Sequence, residues 1–162
     1  MSYLDTLFSL KGKVALITGG GRGIGQVVAI GLAKAGAEVA IVSRTGADET
    51  VKKIEEEGGK SYSLIADVTD EKAVDDALKE VFARSGGLHI VFNNAGICIH
   101  KETLEGSIAE WKDVLNINLT GEYIVARAAG RLMIEKCIKG SLVFTKAGAE
   151  LCAPSSPLAI AA

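Results

Sequence analysis

The run TGGGRGIG, from Thr18 to Gly25, has the composition of an anion cradle. Gly19 permits a sharp exit from the preceding residues. Gly23 lets backbone approach a phosphate with no Cβ in between, and Gly25 lets a following helix pack closely. A helix that starts here offers unpaired amides and the positive end of its dipole to a negative charge. The chemistry such a turn serves is the binding of a dinucleotide pyrophosphate, with Thr18, Gly19, Gly21, Arg22, Gly23, Ile24 and Gly25 as candidate contacts. A merely flexible turn is the alternative. The flanking sequence argues against it, because KVALIT (13–18) reads as a buried strand and residues 23–35 as a helix.

Positioning that turn requires a regular frame, and the sequence supplies one. Apolar runs at 13–18, 38–43 (EVAIVS), 61–67, 89–94 (HIVFNN) and 140–145 (GSLVFT) predict five strands. Helices are predicted between them over 23–35, 48–57, 71–84 and 107–136. Gly36 and the Gly58-Gly59 pair close the first two, and Asp70 caps the third. Ala73, Val74, Ala77, Leu78, Val81 and Phe82 form its apolar stripe. Trp111, Leu115, Leu119, Val125, Ala129 and Leu132 are the apolar residues of the fourth. Strands alternating with helices predict an α/β fold, a doubly wound parallel sheet in three α/β/α layers. Its ligand crevice lies at the carboxyl ends of the strands. Residues 1–162 read as a single dinucleotide-binding domain, with no internal repeat or linker.

The glycine spacing is T-G-x-x-x-G-x-G rather than G-x-G-x-x-G. In this it resembles the short-chain dehydrogenase/reductase family, whose domain is a Rossmann fold. Asp67-Val68 at the close of the third strand, Asn93-Asn94-Ala95-Gly96 and Asn118 within LNINLTG agree with the same resemblance. It implies that Asp67 and Val68 contact an adenine ring. It implies that Asn94, Ala95 and Gly96 lie beside the cofactor, and that Asn118 is the helix asparagine of a proton relay, the one catalytic candidate.

An NAD-preferring site usually carries an acid at the end of the second strand. Here that end reads Val42-Ser43-Arg44-Thr45, and no carboxylate follows until Asp48. Arg44, with Ser43 beside it and Arg22 in the glycine turn, suits a 2′-phosphate, since the guanidinium fork binds such groups bidentately. NADP(H) is the expected cofactor, with NAD the other possibility. Both arginines being solvated surface residues is the alternative.

The resemblance also implies a tyrosine acid/base, a lysine four residues later and a serine after the fifth strand, which together handle the oxygen-bound proton during hydride transfer. In GSLVFTKAGAELCAPSSPLAIAA the serine position falls at about Ala147 and the tyrosine position at Ile160. The lysine position lies beyond Ala162. Tyr3, Tyr62 and Tyr123 are remote in sequence. The expectation is a chain lacking this chemistry, truncated on its C-terminal side. Lys146, Ser141, Ser155, Ser156, His100, Cys98 and Cys152 are nearby substitutes, more readily explained as surface, turn or loop residues.

Composition excludes several other classes. The net charge is −2 with no dense basic run, so nucleic acid is not an expected partner. No run approaches a membrane span or a signal peptide. The three cysteines have neither metal-ligand spacing nor an even count, which suits reduced thiols in a cytoplasmic protein. No metal is expected. A sheet without its later strands leaves an open edge and an uncovered helix face, so a homo-oligomer is expected. The functional expectation is an oxidoreductase lineage acting on a sugar, polyol or keto substrate and inactive in this form. A non-catalytic nucleotide-binding or interaction module and a 3-oxoacyl-carrier-protein reductase are the alternatives.

Overall fold

The computed structural model describes residues 7–101 and 104–145, together with the backbone of residues 159–160. Five parallel strands form the main sheet: β1 (Val14–Thr18), β2 (Glu38–Ser43), β3 (Lys60–Ile65), β4 (Ile90–Asn93) and, after the two-residue β5 (Ile99–His100), β6 (Ser141–Phe144). Their order is β3-β2-β1-β4-β6. The chain steps outward from β1 to β3, then crosses to the other side of β1 for β4. This reversal creates a crevice between the carboxyl ends of β1 and β4. β5 pairs antiparallel with β7 (Ala159–Ile160), an excursion the sequence pattern does not announce.

β1 is buried along its whole length, as its unbroken apolar run requires. Its side chains alternate between two cores. Val14 and Leu16 join Val42, Val74, Val81 and Val125 on one face, whereas Ala15 and Ile17 join Val39, Ile41, Ala29 and Ile54 on the other. The second core belongs to α1 (Gly23–Lys34) and α2 (Asp48–Glu56). The first belongs to α3 (Glu71–Ser85) and α5 (Glu122–Glu135). The result is the expected three-layer doubly wound architecture.

Local chemistry sets the helix limits. Asp70 accepts from the Ala73 amide at 3.0 Å, and Gly86, at φ +70°, ends α3 in the left-handed conformation. Ser107 starts α4 (Ile108–Leu115) with a capping box, its hydroxyl accepting from the Glu110 amide while the Glu110 carboxylate accepts from the Ser107 amide. The fourth helix is not the uniform α-helix expected. A π-helical turn over Asn116–Gly121 interrupts it between α4 and α5. Nor does β3 extend to Asp67. It stops at Ile65, and Asp67 Oδ1 accepts from the Thr69 amide (2.9 Å) and hydroxyl (2.7 Å), which turns the chain out of the sheet.

Apolar side chains are exposed on the long helix and on the last strand of the sheet. Trp111, Leu119 and Tyr123 are 45%, 53% and 62% exposed, so this helix carries an uncovered apolar stripe. β6 is an edge strand with Leu142, Val143 and Phe144 all exposed.

Candidate functional site

Thr18, the last residue of β1, is fully buried. Its hydroxyl donates to Asn93 Oδ1 at 3.1 Å and accepts from the amides of Asn94 (2.9 Å) and Ala95 (3.0 Å). Asn94 Nδ2 donates to the carbonyls of Thr18 and Gly19 at 3.2 and 3.3 Å. Asn93 Nδ2 donates to the Glu122 carbonyl at 2.8 Å, which reaches the start of α5. The two strand ends flanking the crevice are thus laced by side chains rather than by ladder bonds, and a fixed floor results.

The glycine turn rests on this floor. Gly19 has φ +69°, and a Cβ there would stand 2.9 Å from Ala95 Cα. A Cβ on Gly25 would stand 2.5 Å from the Gly19 carbonyl oxygen and 2.6 Å from Asn94 Nδ2. Gly25 therefore lets the start of α1 sit on the turn itself, a closer contact than the helix-to-sheet packing expected of it. Gly23 differs: φ is +56°, and no atom lies within 4 Å of its added Cβ. Arg22 precedes α1 in an extended conformation and gives no side-chain cap. The amides of the first turn of α1 accordingly have no side-chain acceptor from the N-cap, which is the arrangement an anion site uses.

Above the floor lies an open cleft of about 700 Å³, within the range of small-molecule sites. Gly19, Gly21, Arg22, Gly23, Ile24, Ser43, Arg44, Asp67, Val68, Asn94, Ala95 and Gly96 all line it. They come from the carboxyl ends of four strands. Thr18 and Gly25 do not line it but lie beneath. Two hydrogen bonds from Thr69 hold the Asp67 carboxyl below its usual range, and the Arg44 charge adds to the effect, so the β3 end stays anionic beside a cation.

Asn118 is not in the cleft wall. It sits in the π-helical turn, where its Oδ1 accepts from the Ile97 amide (2.8 Å) and its Nδ2 donates to the Ile97 carbonyl (2.9 Å). Its side chain thus holds the loop that follows Gly96. Gly121, in the same turn, packs against Val68, where an added Cβ would meet the valine at 2.7 Å. The extra residue of the π turn places this asparagine under the loop, and such turns recur at functional sites.

The other candidates separate from the cleft. Ser141 begins β6 opposite Ile90, so it lies at the far end of the sheet, not near the strand termini as its place in the sequence suggests. His100 is exposed in β5, and Cys98 and Cys137 are exposed thiols. Lys146, Ala147, Cys152, Ser155 and Ser156 lie outside the described residues. Ile160 is described by backbone only, paired with Ile99. Among the described residues no cluster of His, Cys, Asp or Glu is placed to hold a metal, and no helix is long and apolar enough to cross a membrane.

Sequence reasoning missed Val42, Thr45, Gly46, Ala66, Ile97 and Ile117, which complete the wall. Gly46 was the legible one: a glycine two residues after Arg44, at φ +80°, marks the turn that carries the arginine around the β2 end.

Comparison with known proteins agrees with this geometry. A family model described as short chain dehydrogenase matches residues 13–155. The 2-dehydro-3-deoxy-D-gluconate 5-dehydrogenase of Bacillus subtilis (strain 168) is 43% identical over 138 residues, covering 84% of this chain and 54% of the relative. The chain spans about half the length of the curated relatives it matches. A short-chain type dehydrogenase/reductase from Mycobacterium marinum superposes with a TM-score of 0.89 at 35% identity, over 95% of this chain and 64% of that one. A short chain dehydrogenase from Burkholderia cenocepacia J2315, solved in complex with NADP, gives 0.78 at 33% identity over 91% and 60%.

Proposed function

Because the chain belongs to the short-chain dehydrogenase family, we propose that its cleft holds a nicotinamide dinucleotide, preferentially NADP(H). The observation that carries this is the pairing of the uncapped start of α1 with Arg22 and Arg44 in the same cleft wall. The amides at Gly23 and Ile24 take the pyrophosphate, and the space over Gly23 lets it come close. Arg44, with Ser43 and Arg22, takes the 2′-phosphate. Asp67 and Val68 border the adenine. Asn94, Ala95 and Gly96 form the wall that continues toward the nicotinamide, and Asn118 holds that wall's outer loop in place. The bound nicotinamide supplies or accepts a hydride.

A sugar-acid or related keto compound is the substrate class we propose for the lineage, on the likeness to the gluconate-type dehydrogenase. The 162-residue chain itself binds without turning over. Ile160, at the position where the family resemblance implies a tyrosine, has no proton to exchange, and loss of such a general acid/base costs roughly 10²–10⁴ in rate.

Fluorescence titration tests the binding. NADPH is expected to bind more tightly than NADH. Arg44→Asp is expected to weaken NADPH by roughly 10–100-fold, from about 1.5–3 kcal/mol per charged hydrogen bond, and to reverse the preference. Unchanged preference in that variant contradicts the assignment of Arg44. Steady consumption of NADPH by the 162-residue chain with any keto sugar acid contradicts the assignment of Ile160.

The apolar stripe of Trp111, Leu119 and Tyr123 supports self-association through α4 and α5. Sedimentation is expected to show a dimer or larger species that Trp111→Glu shifts toward monomer. A wild-type monomer at every concentration overturns this.

A further inference from the structure

Two carbonyls of the glycine turn are tied down by side chains outside it. The Gly20 carbonyl accepts from Thr50 Oγ1 at 2.9 Å, and the Gly21 carbonyl accepts from Gln26 Nε2 at 3.3 Å. The same Nε2 donates to Thr50 Oγ1 at 2.9 Å, and Lys53 Nζ donates to Gln26 Oε1 at 3.3 Å. Thr50 is fully buried in the first turn of α2. Its hydroxyl has one proton. With Gln26 donating to the oxygen, that proton goes to the Gly20 carbonyl, so the rotor is fixed.

A planar trans peptide points its C=O and the next residue's N–H in opposite directions. Holding the Gly20 carbonyl toward α2 therefore turns the Gly21 amide away from α2. Holding the Gly21 carbonyl toward Gln26 turns the Arg22 amide away from Gln26. Gly21 and Arg22 both line the cleft. They do so at the Arg44 end, since an added Cβ on Gly21 would lie 3.3 Å from the Gly46 carbonyl, to which Ser43 Oγ donates at 2.8 Å.

We propose that Thr50 and Gln26 are positioning residues for recognition of the phosphorylated ribose. They aim the Gly21 and Arg22 amides at the anion held by Arg22 and Arg44. Selectivity for the 2′-phosphate then depends on a buried threonine and a half-buried glutamine that never touch the ligand. The inference rests on the NADP(H) reading above.

Thr50→Val nearly preserves volume and removes the hydroxyl. NADPH affinity is expected to fall about tenfold, as for one charge-assisted hydrogen bond lost, while NADH affinity stays within about twofold. Thr50→Ser restores NADPH binding. Gln26→Met gives the same selective loss and decides the matter alone should Thr50→Val not fold. In labelled wild-type protein, the Gly21 and Arg22 amide resonances shift with 2′-AMP and not with 5′-AMP, and in Thr50→Val this response disappears.

Equal weakening of NADPH and NADH, no change in either, or no recovery with serine overturns the proposal while leaving the Arg44 assignment intact. A wild-type chain with no preference for NADPH overturns both.

Discussion

Gly25→Ala is expected to lower NADPH affinity by at least about 100-fold and to reduce the melting temperature by roughly 2–12 °C. The new Cβ would stand 2.5 Å from the Gly19 carbonyl oxygen and 2.6 Å from Asn94 Nδ2. Neither neighbour is the far end of a flexible chain. One is backbone, and the other is fixed by its bonds to the Thr18 and Gly19 carbonyls. Relief therefore requires α1 to lift off the turn, which moves the amides that face the cleft. Overpacking of this kind costs about 1–3 kcal/mol, and a chain of this size loses roughly 2–4 °C per kcal/mol. Gly31→Ala is the control. It sits in the same helix with nothing within 4 Å of its added Cβ, and alanine is the better helix former. That variant is expected to gain about 0.5–1 kcal/mol and keep its affinity. Thermal melts and NADPH titrations of the pair read both effects, and matching behaviour would contradict the packing argument.

Thr18→Val is expected to cost about 3 kcal/mol, or roughly 6–12 °C in melting temperature, although valine is nearly the same size. The loss comes from stranded partners rather than from volume. The amides of Asn94 and Ala95 lose their acceptor, and Asn93 Oδ1 loses its donor inside the protein. Thr18→Ser keeps the hydroxyl and is expected to recover most of the difference. A valine variant that melts within about 2 °C of wild type would mean that the lacing between β1 and β4 does not hold the floor together.

How far the sequence foretold this site depends on what each residue's signal reports. β1 and β2 were legible because burial on both faces leaves an unbroken apolar run, and Asp70 because a cap side chain precedes its helix. The glycine turn was legible for a related reason, since only glycine accepts its conformations and close approaches. The roles of Thr18 and Gly25 were half legible. Their motif placed them at the site, but only the fold shows that they support it from below. The π-helical turn around Asn118 has no composition of its own, because it differs from an α-helix by one hydrogen-bond step. Trp111 and Leu119 carried a helical period that reads the same for a core face and for an uncovered one. The end of β3 was misread although Asp67-Val68-Thr69 carries a turn signal, with a carboxylate two residues before an amide and hydroxyl it can accept from. Ser141 was misplaced by chain order alone. A strand parallel to β4 must begin at the end of the sheet away from the cleft.

A crystal structure of this chain grown with NADP(H) tests the central claim most directly. Pyrophosphate oxygens within hydrogen-bond distance of the amides at Gly23 and Ile24, with the 2′-phosphate between Arg22 and Arg44, is the result expected. Dinucleotide bound anywhere else, or a cleft that stays empty at saturating cofactor, would contradict it.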